Sequence, residues 1–245
     1  MSSQEAFISH LVELRGRLIR SLIAIVVIFI CLFPFASDIY DILAYPMIST
    51  LPEGTKMIAT GVVAPFFIHI KITLLLAVVI ALPYLFYQAW AFIAPGLYAH
   101  EKKLVLPIVV ASTFLFFLGM AFCYGFVFKI AFSTIYKFAP KSITVAPDIE
   151  NYLNFVLGMF LAFGITFQVP IAVVILVRAG LITIEKLKDI RRYFIVGAFV
   201  VAAVVTPPDV YSQVMLAIPL CILYEIGIIV ARFVTPKERQ MIEER

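Results

Sequence analysis

From Leu18 to Phe35 the chain runs for 18 residues with a single charge, Arg20. A run of about this length with so few charges is a candidate membrane-spanning helix. Comparable runs recur along all 245 residues, and the chain as a whole is 63% hydrophobic and 14% charged. Soluble domains carry about 25% charged residues. The sequence therefore predicts an all-α membrane protein forming one polytopic transmembrane domain over residues 1–245. No stretch is long and polar enough for a separate soluble domain. The net charge of +4 needs no nucleic-acid partner, because the placement of the positive charges matters more than their sum.

Six spans are expected, over 17–36, 65–88, 107–128, 153–177, 193–206 and 211–232. The first apolar run is followed by no small-residue cleavage pattern, so it reads as a transmembrane helix and not a cleavable signal peptide. Pro65 and Pro107 stand where a first helical turn tolerates a missing N–H. Pro83, Pro170 and Pro219 fall inside spans and should kink them, leaving carbonyls for other helices or water to satisfy. Of the 19 Lys and Arg residues, 14 fall in the N-terminal segment, the second and fourth loops and the C-terminal tail. Four lie on the opposite side (Lys56, Lys129, Lys137, Lys141), and Lys71 sits within the second span. The positive side is cytoplasmic, which puts both termini there.

The fifth span is short. Tyr193 to Thr206 makes about 21 Å of helix, against a hydrocarbon core of about 30 Å. Glu225 shortens the apolar part of the sixth. Either the hairpin turning at "TPPD" (206–209) stops short of one surface, or the bilayer thins around it. Residues 37–64 and 129–152 are external and long enough to form a cap, with "DIYDILAYPMISTL" (38–51) patterned as an interfacial helix. At the N-terminus "SSQEAFISHLVELRGRL" is amphipathic, with Phe7, Leu11, Leu14 and Leu18 on one stripe and Glu13 and Arg17 spaced for an i,i+4 ion pair. It reads as a membrane-surface helix leading into the first span.

Chemistry-bearing patterns are sparse. Cys31, Cys123 and Cys221 all lie in apolar runs and read as packing residues. His10, His69 and His100 are far apart, and "HEKKL" lacks the second histidine of a zinc motif, so no metal is expected. There is no P-loop, no G-x-S-x-G and no serine–histidine pair inside a span. No cofactor, no catalytic residue and no enzymatic activity are expected. Lys71 can snorkel to the external surface. Glu225 is harder to place, since a charge in lipid costs about 3 kcal/mol. Arg232, two turns on, is a possible partner, and structural and functional roles both remain open. Gln168, next to Pro170 and close to Thr166, fits either interhelical hydrogen bonding or the lining of a polar cavity.

Six stretches, in order and spread over nearly the whole chain, resemble one family: "SHLVELRGRL" (9–18), "SDIYDILAYPMISTLPEGTKMIAT" (37–60), "PFFIHIKIT" (65–73), "YQAWAFIAPGLYAHEKKL" (87–104), "FGITFQVP" (163–170) and "VGAFVVAAVVTPPDVYSQVMLAIPLCILYEIG" (196–227). The family is TatC, the polytopic core of the twin-arginine protein translocase. The resemblance implies a concave six-helix bundle in the bacterial cytoplasmic (inner) membrane. It also implies a receptor for signal peptides bearing S/T-R-R-x-F-L-K, export of folded cargo proteins driven by the proton motive force, and assembly with the single-span subunits TatA and TatB, with TatB in an oligomer.

On the residues alone, Glu101 balances Lys102 and Lys103. The resemblance instead makes it a recognition acid for the arginine pair, with Glu13 as a second. It places Phe92, Pro95 and Leu97 as an apolar floor for the signal and Arg15 in the same binding set. Partner helices would dock on the fifth span and its turn, around Val204, Thr206, Asp209 and Gln213. There the small residues Gly197, Ala198, Ala202 and Ala203 permit close approach. The family usually carries an acid where this chain has Gln168, which leaves an amide where a titratable or arginine-binding group is customary. The competing reading from another class is a small-solute secondary transporter, which predicts internal repeats and paired broken helices around a midplane site.

Overall fold

A computed structural model of the chain describes residues 3–49, 57–97, 105–132, 146–205 and 210–234, with the side chains of 3–7, 93–97, 205 and 234 excepted. It divides into two compact units, Met1–Tyr45 with Ala59–Thr113, and Pro46–Ile58 with Phe114–Arg245. Among the described residues the elements are helical, apart from one isolated parallel bridge between Ile58 and Asp148.

In the first unit, α1 (Ser3–Leu32) is a single helix of 30 residues, about 45 Å long. The amphipathic stretch therefore leads into the first span without a break. The reason lies in the sequence: no proline occurs before Pro34, and Gly16 alone is a weak interruption. Pro34 falls in a short 3₁₀ turn, Phe33–Phe35, which leads directly into α2 (Ala36–Ile48). The helix expected from residue 38 thus exists. The second long helix, α3 (Ala64–Leu97), has 34 residues and overruns its expected end at residue 88. Pro65 sits in its first turn, where the missing N–H has no acceptor to lose. α1 and α3 pack against each other, yet no residue of the most apolar stretch of α1 is buried inside the protein, as suits a helix with one side toward lipid.

α4 (Val105–Phe122), which enters the second unit at Phe114, passes into a π-helical turn, Cys123–Val127, closed by the Phe128 N–H on the Cys123 carbonyl. Helix α5 (Ile149–Thr166) begins at Pro147-Asp148. The Asp148 carboxylate caps it by accepting from the Asn151 N–H at 3.1 Å, and the cap is steadied by Ile58, which bonds Pro147 O and Ile149 N. α4 and α5 approach closely. A β-carbon on Gly119 would fall 2.7 Å from Phe163 O, and one on Gly164 would fall 2.4 Å from the Phe116 ring. Near these contacts two clusters of rings form, Phe122 with Phe163 and Phe167, and Phe128 with Phe132, Tyr152, Phe155 and Phe160.

The expected fourth span is two helices, α5 and α6 (Val169–Arg178). Pro170 offers no N–H to the Thr166 carbonyl, and the ladder tightens instead, with Gln168 N bonding Ile165 O at 2.9 Å. By contrast the helices run on through Pro83 and Pro219. α6 ends on Gly180, at φ 70°. Its N–H bonds Val177 O, and the Leu181 N–H bonds Leu176 O. This closure requires a left-handed residue, which glycine adopts without steric cost. Thr183 then caps α7 (Ile184–Val205) through its hydroxyl on the Lys186 N–H, and α8 (Val210–Val234) completes the described chain.

Among the described residues, five segments are long and apolar enough to cross a membrane: Ile8–Ile48, Ala64–Phe92, Val105–Phe132, Ile149–Arg178 and Val210–Phe233. The expected fifth span is missing from that set. α7 is a full helix of 22 residues, but its first turns carry Glu185, Lys186, Lys188, Asp189, Arg191 and Arg192. Only its second half is apolar.

Candidate functional site

Where the N-terminal part of α1 meets the C-terminal part of α3, polar groups converge. Glu13 and Arg17 form the expected i,i+4 pair, but not as a free surface pair. Arg17 Nε and Nη2 both donate to one oxygen, Glu13 Oε1, at 2.9 and 2.6 Å. Arg17 Nη1 donates to Gln88 Oε1 at 3.1 Å, and Nη2 also reaches the Ala91 carbonyl at 3.2 Å. Gln88 is buried and donates from Nε2 to the Tyr84 hydroxyl at 2.7 Å. One turn earlier on α1, His10 stacks on Phe92 with ring centroids 4.1 Å apart. Trp90 donates its indole N–H to the buried Ser112 hydroxyl.

The structure therefore brings Glu13 and Phe92 to one junction and supplies two residues that the sequence reading passed over, Gln88 and His10. One face of Phe92 is covered by the histidine ring. Arg15 is exposed and lies about 200° around α1 from Glu13, so it is not part of this junction. Glu101 lies outside the described residues, as do Thr206 and Asp209. Pro95 and Leu97 are in the last turns of α3, with side chains outside the description.

A second polar constellation joins α7 to α8. Glu225 Oε2 accepts from Arg191 Nη2 at 2.7 Å. The partner considered in the sequence, Arg232, sits on the same helix. Arg191 comes from α7, whose antiparallel run brings it level with Glu225. The adjacent Tyr224 donates its hydroxyl to Leu187 O at 2.8 Å and stacks on Phe194 at 3.9 Å. Val173, Val177, Ile184, Leu187, Tyr224, Ile228 and Ala231 form the apolar core beneath. Nearer the tip, Gln213 Nε2 donates to the Phe199 carbonyl at 3.2 Å. α7 itself buries only a narrow stripe. Ala198 and Ala202 are buried, while Tyr193, Val196, Val200 and Val204 are exposed, Val204 by 81%.

Gln168 stands at the break between α5 and α6. Its Nε2 lies 3.4 Å from Gly164 O, and its Oε1 is buried. Thr166 beside it is buried too. The amide oxygen is therefore enclosed by protein.

Residues 9–219 match the family Sec-independent protein translocase protein (TatC). The chain is 48% identical over 238 residues to the Sec-independent protein translocase protein TatC of Haemophilus influenzae, covering 97% of this chain and 93% of that one. It is 48% identical over 239 residues to the protein of the same name from Escherichia coli K12, covering 98% and 93%. Among solved structures it resembles the crystal structure of the twin arginine translocase receptor TatC, with a TM-score of 0.82 and 42% identity over 93% of this chain and all of that one. The chain belongs to the TatC family of Sec-independent protein translocase proteins.

Proposed function

We propose that this chain is the receptor for twin-arginine signal peptides and the core subunit of a translocase that exports folded proteins across the bacterial cytoplasmic membrane at the expense of the proton motive force. The observation that carries the reading is its likeness, over nearly its whole length, to a solved structure described as a twin-arginine translocase receptor. The charge distribution supports six crossings with both termini cytoplasmic. In that orientation α7 is a short crossing, and Glu13 and Glu101 both face the cytoplasm.

Glu13 and Glu101 receive the two guanidinium groups. A guanidinium presents a planar fork of donors that a carboxylate can accept, whereas an ammonium is a point charge. Phe92, Pro95 and Leu97 line the path of the signal's apolar part. The exposed side of α7, from Gly197 to Val204, receives the single helices of TatA and TatB, together with Thr206 and Asp209, which follow it in sequence. Ala198 and Ala202 are buried and not available there, but Gly197 and Ala203 allow close approach where lipid removes any hydrophobic drive. Gln213 faces α7 at the same level.

The test is direct binding. The purified chain should capture a peptide bearing S-R-R-x-F-L-K and release the same peptide with two lysines. Equal retention of both peptides would refute the receptor reading.

A further inference from the structure

We propose that Arg17 is a positioning residue that makes Glu13 a selective acceptor of guanidinium and not a general trap for cations. The inference rests on the reading of Glu13 as a signal-binding acid. An ordinary i,i+4 pair is a loose contact between two solvated side chains. Arg17 is different. Its side chain is 19% exposed against 39% for Glu13. Its donors reach three groups on two helices: Glu13 Oε1 twice, Gln88 Oε1 and the Ala91 carbonyl. Gln88 is in turn fixed by Tyr84. The guanidinium is thus seated on α3, and it holds the carboxylate of α1 by one oxygen.

Two consequences follow for an incoming cation. The charge of Glu13 is largely offset by a cation that does not leave, so long-range attraction for any ammonium or guanidinium is weak. The carboxylate is also held in one rotamer, so what it still offers is directional acceptance. Lysine binding draws on charge and loses most from the first effect. Arginine binding draws on oriented donors and gains from the second. Arg17 therefore raises the ratio of arginine-pair to lysine-pair binding, a specificity produced by weakening the wrong partner.

The experiment measures binding of the twin-arginine peptide and its lysine-pair variant to the full chain in lipid nanodiscs, at low and raised salt. It compares wild type with Arg17→Gln, Arg17→Lys, Gln88→Leu and Glu13→Gln. Arg17→Gln should lower the arginine-to-lysine ratio about fivefold, the scale of coupling between partly exposed charges. It should also make lysine-pair binding steeper in salt, since an unmasked charge is screened. Arg17→Lys keeps the charge but cannot span Glu13, Gln88 and Ala91 together, and should fall between. If Arg17→Gln fails to insert, Gln88→Leu carries the test, because it removes one of the two anchors of the guanidinium on α3 and should lower the ratio by about twofold. An unchanged ratio and salt slope in Arg17→Gln, or an unchanged ratio in Gln88→Leu if that variant must serve, with Glu13→Gln still weakening the arginine peptide, overturns the positioning role alone. If Glu13→Gln leaves arginine-peptide binding unchanged, the underlying assignment of Glu13 fails instead.

Discussion

A β-carbon on Gly227 would lie 2.9 Å from Pro170 Cα and 3.1 Å from Val173 Cβ, the first a backbone atom that cannot turn aside. Between α6 and α8, therefore, one hydrogen atom sets the spacing. Gly227→Leu should destabilise the protein by about 1–3 kcal/mol, the range for overpacking. Gly197→Leu should not, because nothing lies within 4 Å of a β-carbon there. Thermal unfolding of the two purified variants in one detergent checks this, and equal loss from both would contradict it. Both glycines stand in apolar runs, and the sequence does not say which one packs internally. Of the small residues read as leaving room for another helix, Gly197 is open, whereas Ala198 and Ala202 are buried. The internal role of Gly227 becomes visible only when Pro170 is placed beside it. Glu225 shows the same limit. That a charge so deep in an apolar run needs a partner followed from cost alone, but Arg191 is 34 residues away in sequence and only the hairpin register selects it over Arg232.

The hairpin of α7 and α8 is where lengths decide. Arg191 pairs with Glu225, so the charged turns of α7 lie level with Glu225 on α8. From there to the described end of α7 is Arg192 to Val205, about 21 Å, against about 30 Å of hydrocarbon. A span this short must thin the bilayer or leave its tip at the interface. A cysteine at Val204, which is 81% exposed, should react with an external water-soluble thiol reagent several-fold faster than one at Val174, within α6 and packed against the hairpin core. Equal protection at both positions would contradict a short hairpin. This shortness was legible because it is a count between charges and the "TPPD" turn. The overrun of α3 to Leu97 was not, since Pro95 and Gly96 signal a loop, yet the helix continues through them. Nor was the π turn in α4, where an unbroken run of Phe, Val and Leu reads the same whatever the local period.

At the scale of the molecule, the sequence held most of the fold and only part of the candidate site. Long apolar runs and the placement of Lys and Arg are properties of composition, and the helices stand close to where those runs place them. The site is made of pairings between distant residues. Glu13 with Arg17 was readable because four residues make one helical turn. Gln88 under Arg17 and His10 on Phe92 were not, because each joins α1 to α3 across more than 70 residues. The proposed function rests on acids that read an arginine pair, and Glu101 is expected to weigh more than Glu13 because it follows the apolar residues of the proposed floor in sequence. A buried charge partner removed from a complex typically costs about 2–5 kcal/mol, and a wetter site less. The most direct measurement is site-specific crosslinking of a twin-arginine peptide to the inserted chain, wild type against Glu101→Gln, with the lysine-pair peptide as control. The account predicts that Glu101→Gln abolishes detectable crosslinking while the protein remains folded and inserted. A Glu101→Gln variant that captures the arginine peptide as well as wild type and still rejects the lysine pair would contradict it.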